Sequence, residues 1–260
     1  MSLNNKNYYT YINNKTTPIV FIHGVGLDRN MWGPQINFFR KYSTITYDLL
    51  GHGNTPFNKD KITMEDFTNQ LMSLIEDLKI TKLHLVGFSI GSLIALDFAS
   101  IFHNKLSSLT LIATTYKRNE KQRQEVIDRV NLAKSNKPIS KLALKRWFTD
   151  EYLEKNPKIY EEFMRILTKE PEEQKNFIKA YELFAHHKDD IEKIKKINTK
   201  TLVMTGSIDP GSTPEMSKNL SSDLKNSQYI EINKGKHLCS IECSDDVNIN
   251  IEKFVTNESD

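Results

Sequence analysis

A serine set between glycines, an aspartate and a histidine are the residues of this chain whose types and spacing can do nucleophilic chemistry. Ser89 stands in Gly87-Phe88-Ser89-Ile90-Gly91, after the apolar run "LHLV" and before the helix-like "SLIALDFAS". A serine at such a strand-to-helix turn exposes its hydroxyl at the carboxyl end of the strand, among the free N–H groups of the helix start. Its hydroxyl needs a base to attack near neutral pH, and the base needs an acid to orient it. Asp209 follows the strand-like "TLVMTG" and His237 follows "YIEIN", so both fall just after strands, where a parallel sheet gathers its functional loops. The loop after "LTLIA" offers Thr114 and Thr115 but no carboxylate, which favours Asp209 as the acid. Among the other histidines, His186 and His187 read as a solvated helix end and His84 as a surface or packing residue of a strand.

Acyl transfer also needs two hydrogen-bond donors for the oxygen on which negative charge builds. The backbone N–H of Ile90, next to the nucleophile, is one candidate. The other is the backbone N–H of Val25 in "HGVG", where glycines let the chain approach a ligand closely. His23 in that motif reads as structural, because the loop already contributes through its backbone.

These residues must be positioned by regular elements. "TPIVFIHG", "YSTITYDL", "KLHLVGF" and "LSSLTLIAT" read as strands. "TMEDFTNQLMSLIEDLKI" places Phe67, Leu71, Leu74, Ile75 and Leu78 on one helical face, with Thr63 and Asp66 at its cap. Strands alternating with helices give the α/β class, a mostly parallel central sheet covered by helices. Residues 116–196 break the rhythm: they hold no strand and repeat apolar residues at helical spacing. "TKTLVMTGSIDP", "SQYIEIN" and the helical "DDVNINIEKFV" then resume it. The expected organisation is a core of residues 1–115 and 197–260, with a helical lid inserted at 116–196.

The composition, 38% hydrophobic and 27% charged, fits a globular domain, and a net charge of +3 does not point to nucleic acid. Two cysteines, Cys239 and Cys243, make neither a disulfide framework nor a zinc ligand set. "MSLNNKNYYTYINNK" lacks the apolar core of a secretory signal, and no run is long enough to span a membrane, so a cytoplasmic setting is expected.

The set "FIHGVGLDRNMWGPQ", "YDLLGHGNT", "LVGFSIGSLIALDFA", "TLVMTGSIDP" and "KGKHLCSIE" resembles the α/β-hydrolase superfamily. "RWFTDEYLEKNP" and "GSIDPGSTPEMSKNL" resemble, more loosely, its 3-oxoadipate enol-lactonase branch. The resemblance implies a Ser89–Asp209–His237 triad, no cofactor or metal, and a small ester or lactone substrate. It also makes Arg146 and Trp147 candidate substrate contacts, with Trp32 beyond the oxyanion loop carrying the same ambiguity between core and pocket. Residues 116–200 hold 21 Lys plus Arg against 15 Asp plus Glu, a net of +6. That surplus either draws an anionic acyl substrate or is a solvated helix surface. Carbon–carbon bond hydrolases and cofactor-free haloperoxidases or perhydrolases share the triad, and some members of the fold are ligand receptors. These readings stand beside ester or lactone hydrolysis, and the oligomeric state is open.

Overall fold

The computed structural model describes residues 7–135 and 140–256. In chain order the elements begin with strands β1 (Tyr9–Ile12) and β2 (Ile19–Ile22), a 3-10 turn at Arg29–Trp32, helix α1 (Gly33–Phe38) and strand β3 (Thr44–Tyr47). Helix α2 (Met64–Asp77), strand β4 (Leu83–Phe88), helix α3 (Ile90–Ile101) and strand β5 (Leu106–Ile112) follow. Helices α4 (Glu120–Lys134), α5 (Ser140–Trp147), α6 (Asp150–Lys155), α7 (Pro157–Leu167), α8 (Pro171–His186) and the short α9 (Ile191–Ile194) come next. The chain closes with β6 (Thr201–Gly206), α10 (Pro214–Asp223), β7 (Ser227–Ile232), α11 (Cys239–Glu242) and α12 (Ser244–Thr256).

The seven strands form one sheet in the order β1-β3-β2-β4-β5-β6-β7. All pairings are parallel except the edge pair, where β1 runs antiparallel to β3 in the register Tyr9 to Tyr47. Strands β2, β3, β4 and β6 are buried at every position, because helices cover both faces and leave no side of these strands to water. The expected cap of α2 forms as a reciprocal pair: Thr63 Oγ1 accepts from Asp66 N–H at 3.1 Å, and Asp66 Oδ2 accepts from Thr63 N–H at 2.9 Å. Phe67, Leu71, Leu74 and Ile75 are buried as its spacing foretold.

Two apolar clusters sit on either side of the sheet. One joins α2, α3 and α8 through residues such as Leu71, Leu93, Phe177 and Phe184; the other joins α12 with Trp32, Trp147, Phe148 and Phe163. The inserted helices therefore rest on both clusters, and α9 packs on α3, where Lys193 pairs with Asp97 at 2.8 Å. Among the described residues no helix is long and apolar enough to cross a membrane.

Candidate active site

The turn from β4 into α3 carries Ser89 with φ 55° and ψ −117°, a left-handed conformation that a residue with a Cβ adopts only at a cost. Its two glycines have ordinary φ values and serve a different purpose. A Cβ on Gly91 would lie 2.7 Å from the carbonyl oxygen of His23, and one on Gly87 would lie 2.7 Å from Ser92 N. Backbones pack where side chains would otherwise be, and the strain is left on the serine. Ser89 N–H donates to Ile112 O at 2.9 Å, and Ser92 Oγ donates to Gly87 O at 2.7 Å while accepting from Ile112 N–H at 3.2 Å. The neighbouring strand β5 thus braces the turn.

Asp209 lies three residues beyond β6, in a tight loop that bonds back to it. Its Oδ1 accepts from Gly211 N–H at 2.8 Å and Ser212 N–H at 3.0 Å, and its Oδ2 meets His237 Nδ1 at 2.7 Å. The carboxylate is buried, with one oxygen held by backbone and the other given to the imidazole. Gly206 and Gly235 make this meeting possible: a Cβ on Gly206 would lie 2.5 Å from Lys236 O, so only a glycine lets the two loops touch. The Phe88 ring lies 5.0 Å from the His237 ring, walling one face of the imidazole.

The His237 loop is also fastened from the inserted helices. Leu238 N–H donates to Trp147 O at 3.0 Å, Lys236 Nζ donates to Lys145 O at 2.8 Å, and the Thr149 hydroxyl donates to Glu242.

Ser89 and His237 face a common cavity of about 230 Å³ under the inserted helices. Val25, Arg146 and Trp147 line it as well, so five of the sequence-derived candidates gather here. No hydrogen bond joins Ser89 Oγ to His237 among the described residues. Ile90 is the first residue of α3, where backbone donors have no intrahelical partner. Val25 occupies a turn closed by Leu27 N–H to Gly24 O at 3.2 Å, with Gly26 at φ 79°.

Trp32, which the sequence left between core and pocket, lies in the core. It is fully buried in the 3-10 turn against Phe21, ring centroids 5.0 Å apart, and does not line the cavity. The turn at Arg29–Trp32 points the indole into the core, which sequence distance from the "HGVG" loop does not reveal. His23 bridges two loops, accepting at Nε2 from Leu49 N–H at 2.9 Å while Nδ1 contacts Gly24 O at 2.8 Å. Burial lowers its pKa, consistent with a neutral structural imidazole. His84 is buried on β4, 2.8 Å from Ser108 Oγ, and His186 is exposed at the end of α8.

Sequence reasoning missed several cavity residues that carry polar groups, four of which come from separate segments. Arg118 follows β5, Arg129 lies on α4, Tyr181 lies on α8 and Ser212 follows Asp209. Only tertiary packing brings these separated segments together.

The family profile described as alpha/beta hydrolase fold matches residues 17–242 of the chain. Among curated proteins it is similar to (E)-2-((N-methylformamido)methylene)succinate hydrolase of Acinetobacter baylyi, 29% identical over 94% of this chain and 92% of that protein. It is also similar to 3-oxoadipate enol-lactonase 2 of the same organism, 25% identical over 91% of this chain and 87% of that protein. Among solved structures, the enol-lactonase of Burkholderia xenovorans LB400 superposes with a TM-score of 0.90, at 22% identity and 98% coverage of both chains.

Proposed function

We propose, on the premise that the chain belongs to the alpha/beta hydrolase family, that it is a serine hydrolase cleaving a small carboxylic ester or lactone through an acyl-enzyme. The observation that carries this reading is the His237–Asp209 pair at 2.7 Å, opening on the same cavity as a serine held in a left-handed turn. The names of the two curated relatives, an (E)-2-((N-methylformamido)methylene)succinate hydrolase and a 3-oxoadipate enol-lactonase, support a substrate derived from a small organic acid.

In this reading Ser89 Oγ attacks the acyl carbon while His237 Nε2 takes its proton. Asp209 fixes Nδ1–H of the same ring, so that Nε2 is the basic nitrogen. The oxygen that becomes negative is met by N–H groups of Val25 and Ile90. The imidazolium then protonates the leaving alkoxide, and a water activated by His237 releases the acid and restores Ser89. The proton of Ser89 leaves with the alcohol and one from the water replaces it, so the residues end the cycle in the state in which they began it. The inserted helices act as a lid that screens the acyl-enzyme from bulk water.

Proton release from a panel of lactones and short esters, one of them an enol-lactone of a dicarboxylic acid, tests the reading. Turnover by the wild type and its loss in Ser89→Ala is expected. Equal turnover by Ser89→Ala would overturn it.

A further inference from the structure

Three arginines line the cavity beside Ser89: Arg118 from the loop after β5, Arg129 from α4 and Arg146 from α5. Among the described residues none of them forms an ion pair. Two of them are instead held by neutral acceptors. Arg118 Nη2 donates to Phe184 O at 2.7 Å and His187 O at 3.1 Å, with its guanidinium 4.8 Å from the Phe184 ring centroid. Arg129 Nε donates to the Tyr181 hydroxyl at 3.2 Å, and Arg146, which lines the same cavity, is influenced electrostatically by that tyrosine. The charges are positioned but not neutralised.

The acidic groups nearby compensate them only in part: Asp189 favours the charge of Arg118 and Asp209 that of Arg146, but burial outweighs both. Glu125 lines the cavity but is exposed on α4. The Asp209 carboxylate is taken up by His237, Gly211 and Ser212. Asp189, close to Arg118, accepts from Lys117 N–H and pairs with His187 at 3.6 Å. Burial pushes the Arg118 guanidinium down to about 10 and lowers Arg146 too, and the charge of Arg129 adds to both effects. Like charges gathered in a desolvated site are costly unless an anion joins them.

The remaining polar atoms agree. Arg118 is 6% exposed, and its Nη1 is buried without a protein partner; the same holds for the hydroxyls of Thr115 and Ser212. All three residues line this cavity. Guanidinium and hydroxyl groups are donors, and the ligand that suits several donors and excess positive charge is a carboxylate.

We infer that Arg118, Arg129 and Arg146 form a carboxylate-binding wall, so that the substrate of Ser89 carries a free carboxylate in addition to the acyl group that is cleaved. This inference rests on the serine-hydrolase reading and narrows its substrate class. The arginines are binding residues, placed to hold the far end of the substrate while its carbonyl meets Ser89.

A matched pair of esters separates the two claims: mono(4-nitrophenyl) glutarate, which bears a carboxylate, and 4-nitrophenyl pentanoate, its neutral counterpart of equal chain length. The wild type is expected to favour the anionic ester by at least about 10-fold in kcat/KM. Arg146→Gln should cut that ratio by about 10- to 100-fold, the range of a hydrogen bond to a charged group, with most of the change in KM. Arg146→Lys should recover part of it. Thr115→Val, which removes a hydroxyl without a protein partner, should lower the ratio several-fold and provides a second variant should Arg146→Gln fail to fold. A wild-type ratio near one, or variants that slow both esters equally, would overturn the carboxylate wall while leaving the hydrolase reading intact.

If neither ester is turned over and the lactone and ester panel is inert as well, the hydrolase reading fails, and binding decides the wall by itself. Titration of Ser89→Ala with monomethyl glutarate and with dimethyl glutarate should show at least about 10-fold tighter binding of the anion, and adding Arg146→Gln should abolish that preference. Equal binding of the two would refute it.

Discussion

Asp209→Asn isolates what the acid does, because the structure dictates how the amide must sit. Asp209 Oδ1 accepts from two backbone N–H groups, at 2.8 and 3.0 Å. In the variant the amide carbonyl has to take that position, since an NH₂ group there would face two donors. The NH₂ is then forced toward His237 Nδ1, where the carboxylate stood at 2.7 Å. Nδ1 becomes an acceptor, the ring proton moves to Nε2, and the nitrogen that should take the Ser89 proton is blocked. A wrong tautomer of this kind costs about 10⁴ in kcat, or about 5.4 kcal/mol of barrier. Stability should change little by comparison, because both backbone hydrogen bonds persist with a neutral acceptor; a loss of about 1–2 kcal/mol is expected. The assay is kcat on the ester that the wild type prefers, with a urea melt alongside. Asp209→Asn activity within 100-fold of wild type, in a folded protein, would refute the tautomer argument. Asp209→Ala should differ, losing the loop bonds and more of the stability as well.

Relief of the strained turn should be measurable: Ser89→Gly is expected to be inactive yet about 1 kcal/mol more stable than Ser89→Ala, since the φ of 55° suits glycine. A urea melt in which Ser89→Gly is the weaker of the two would contradict the assignment of strain. Gly91→Ala should cost more than about 3 kcal/mol, because its Cβ meets the His23 carbonyl and not a movable side-chain end; a melting temperature within a few degrees of wild type would show that the turn has slack. Burial depresses the His84 pKa from 6.5 to about 4. The unfolded chain therefore binds the proton more readily between those values, and stability is lost as pH falls from 6.5 toward 4, by up to about 3 kcal/mol from this group. His84→Asn should flatten that part of the stability–pH curve, and an unchanged slope would assign acid lability to other groups.

The parallel core was legible because a strand buried on both faces is apolar at nearly every position, as in "PIVFI" and "KLHLVGF", and the helix after β4 follows at once. β1 was not legible: Tyr9–Ile12 is a four-residue edge strand, half in water, that owes its form to pairing with β3. Ser89, Asp209 and His237 could be picked out because each follows a strand, and topology brings those ends together. Trp32 could not be assigned between core and pocket, since one 3-10 turn decides the direction of its indole. Ser92 left no signal, because a serine inside a helix shows its bonds to strand β5 only once packed. Arg118 carried no mark of its own among the many charges of residues 116–200. Its burial depends on the carbonyls at the end of α8, far along the chain.

The bond from Leu238 N–H to Trp147 O, with the Thr149–Glu242 contact beside it, has a consequence for chimeras. The helices between β5 and β6 and the loop bearing His237 share a seam, so residues 116–196 are not a cassette. Transplanting the corresponding helices from a relative would import one half of that seam without the other, and the imidazole would lose its register even if every pocket side chain were right. A graft that keeps the seam must carry residues 234–242 along with the helices. Specificity in this chain is thereby inherited jointly by two stretches of sequence almost forty residues apart.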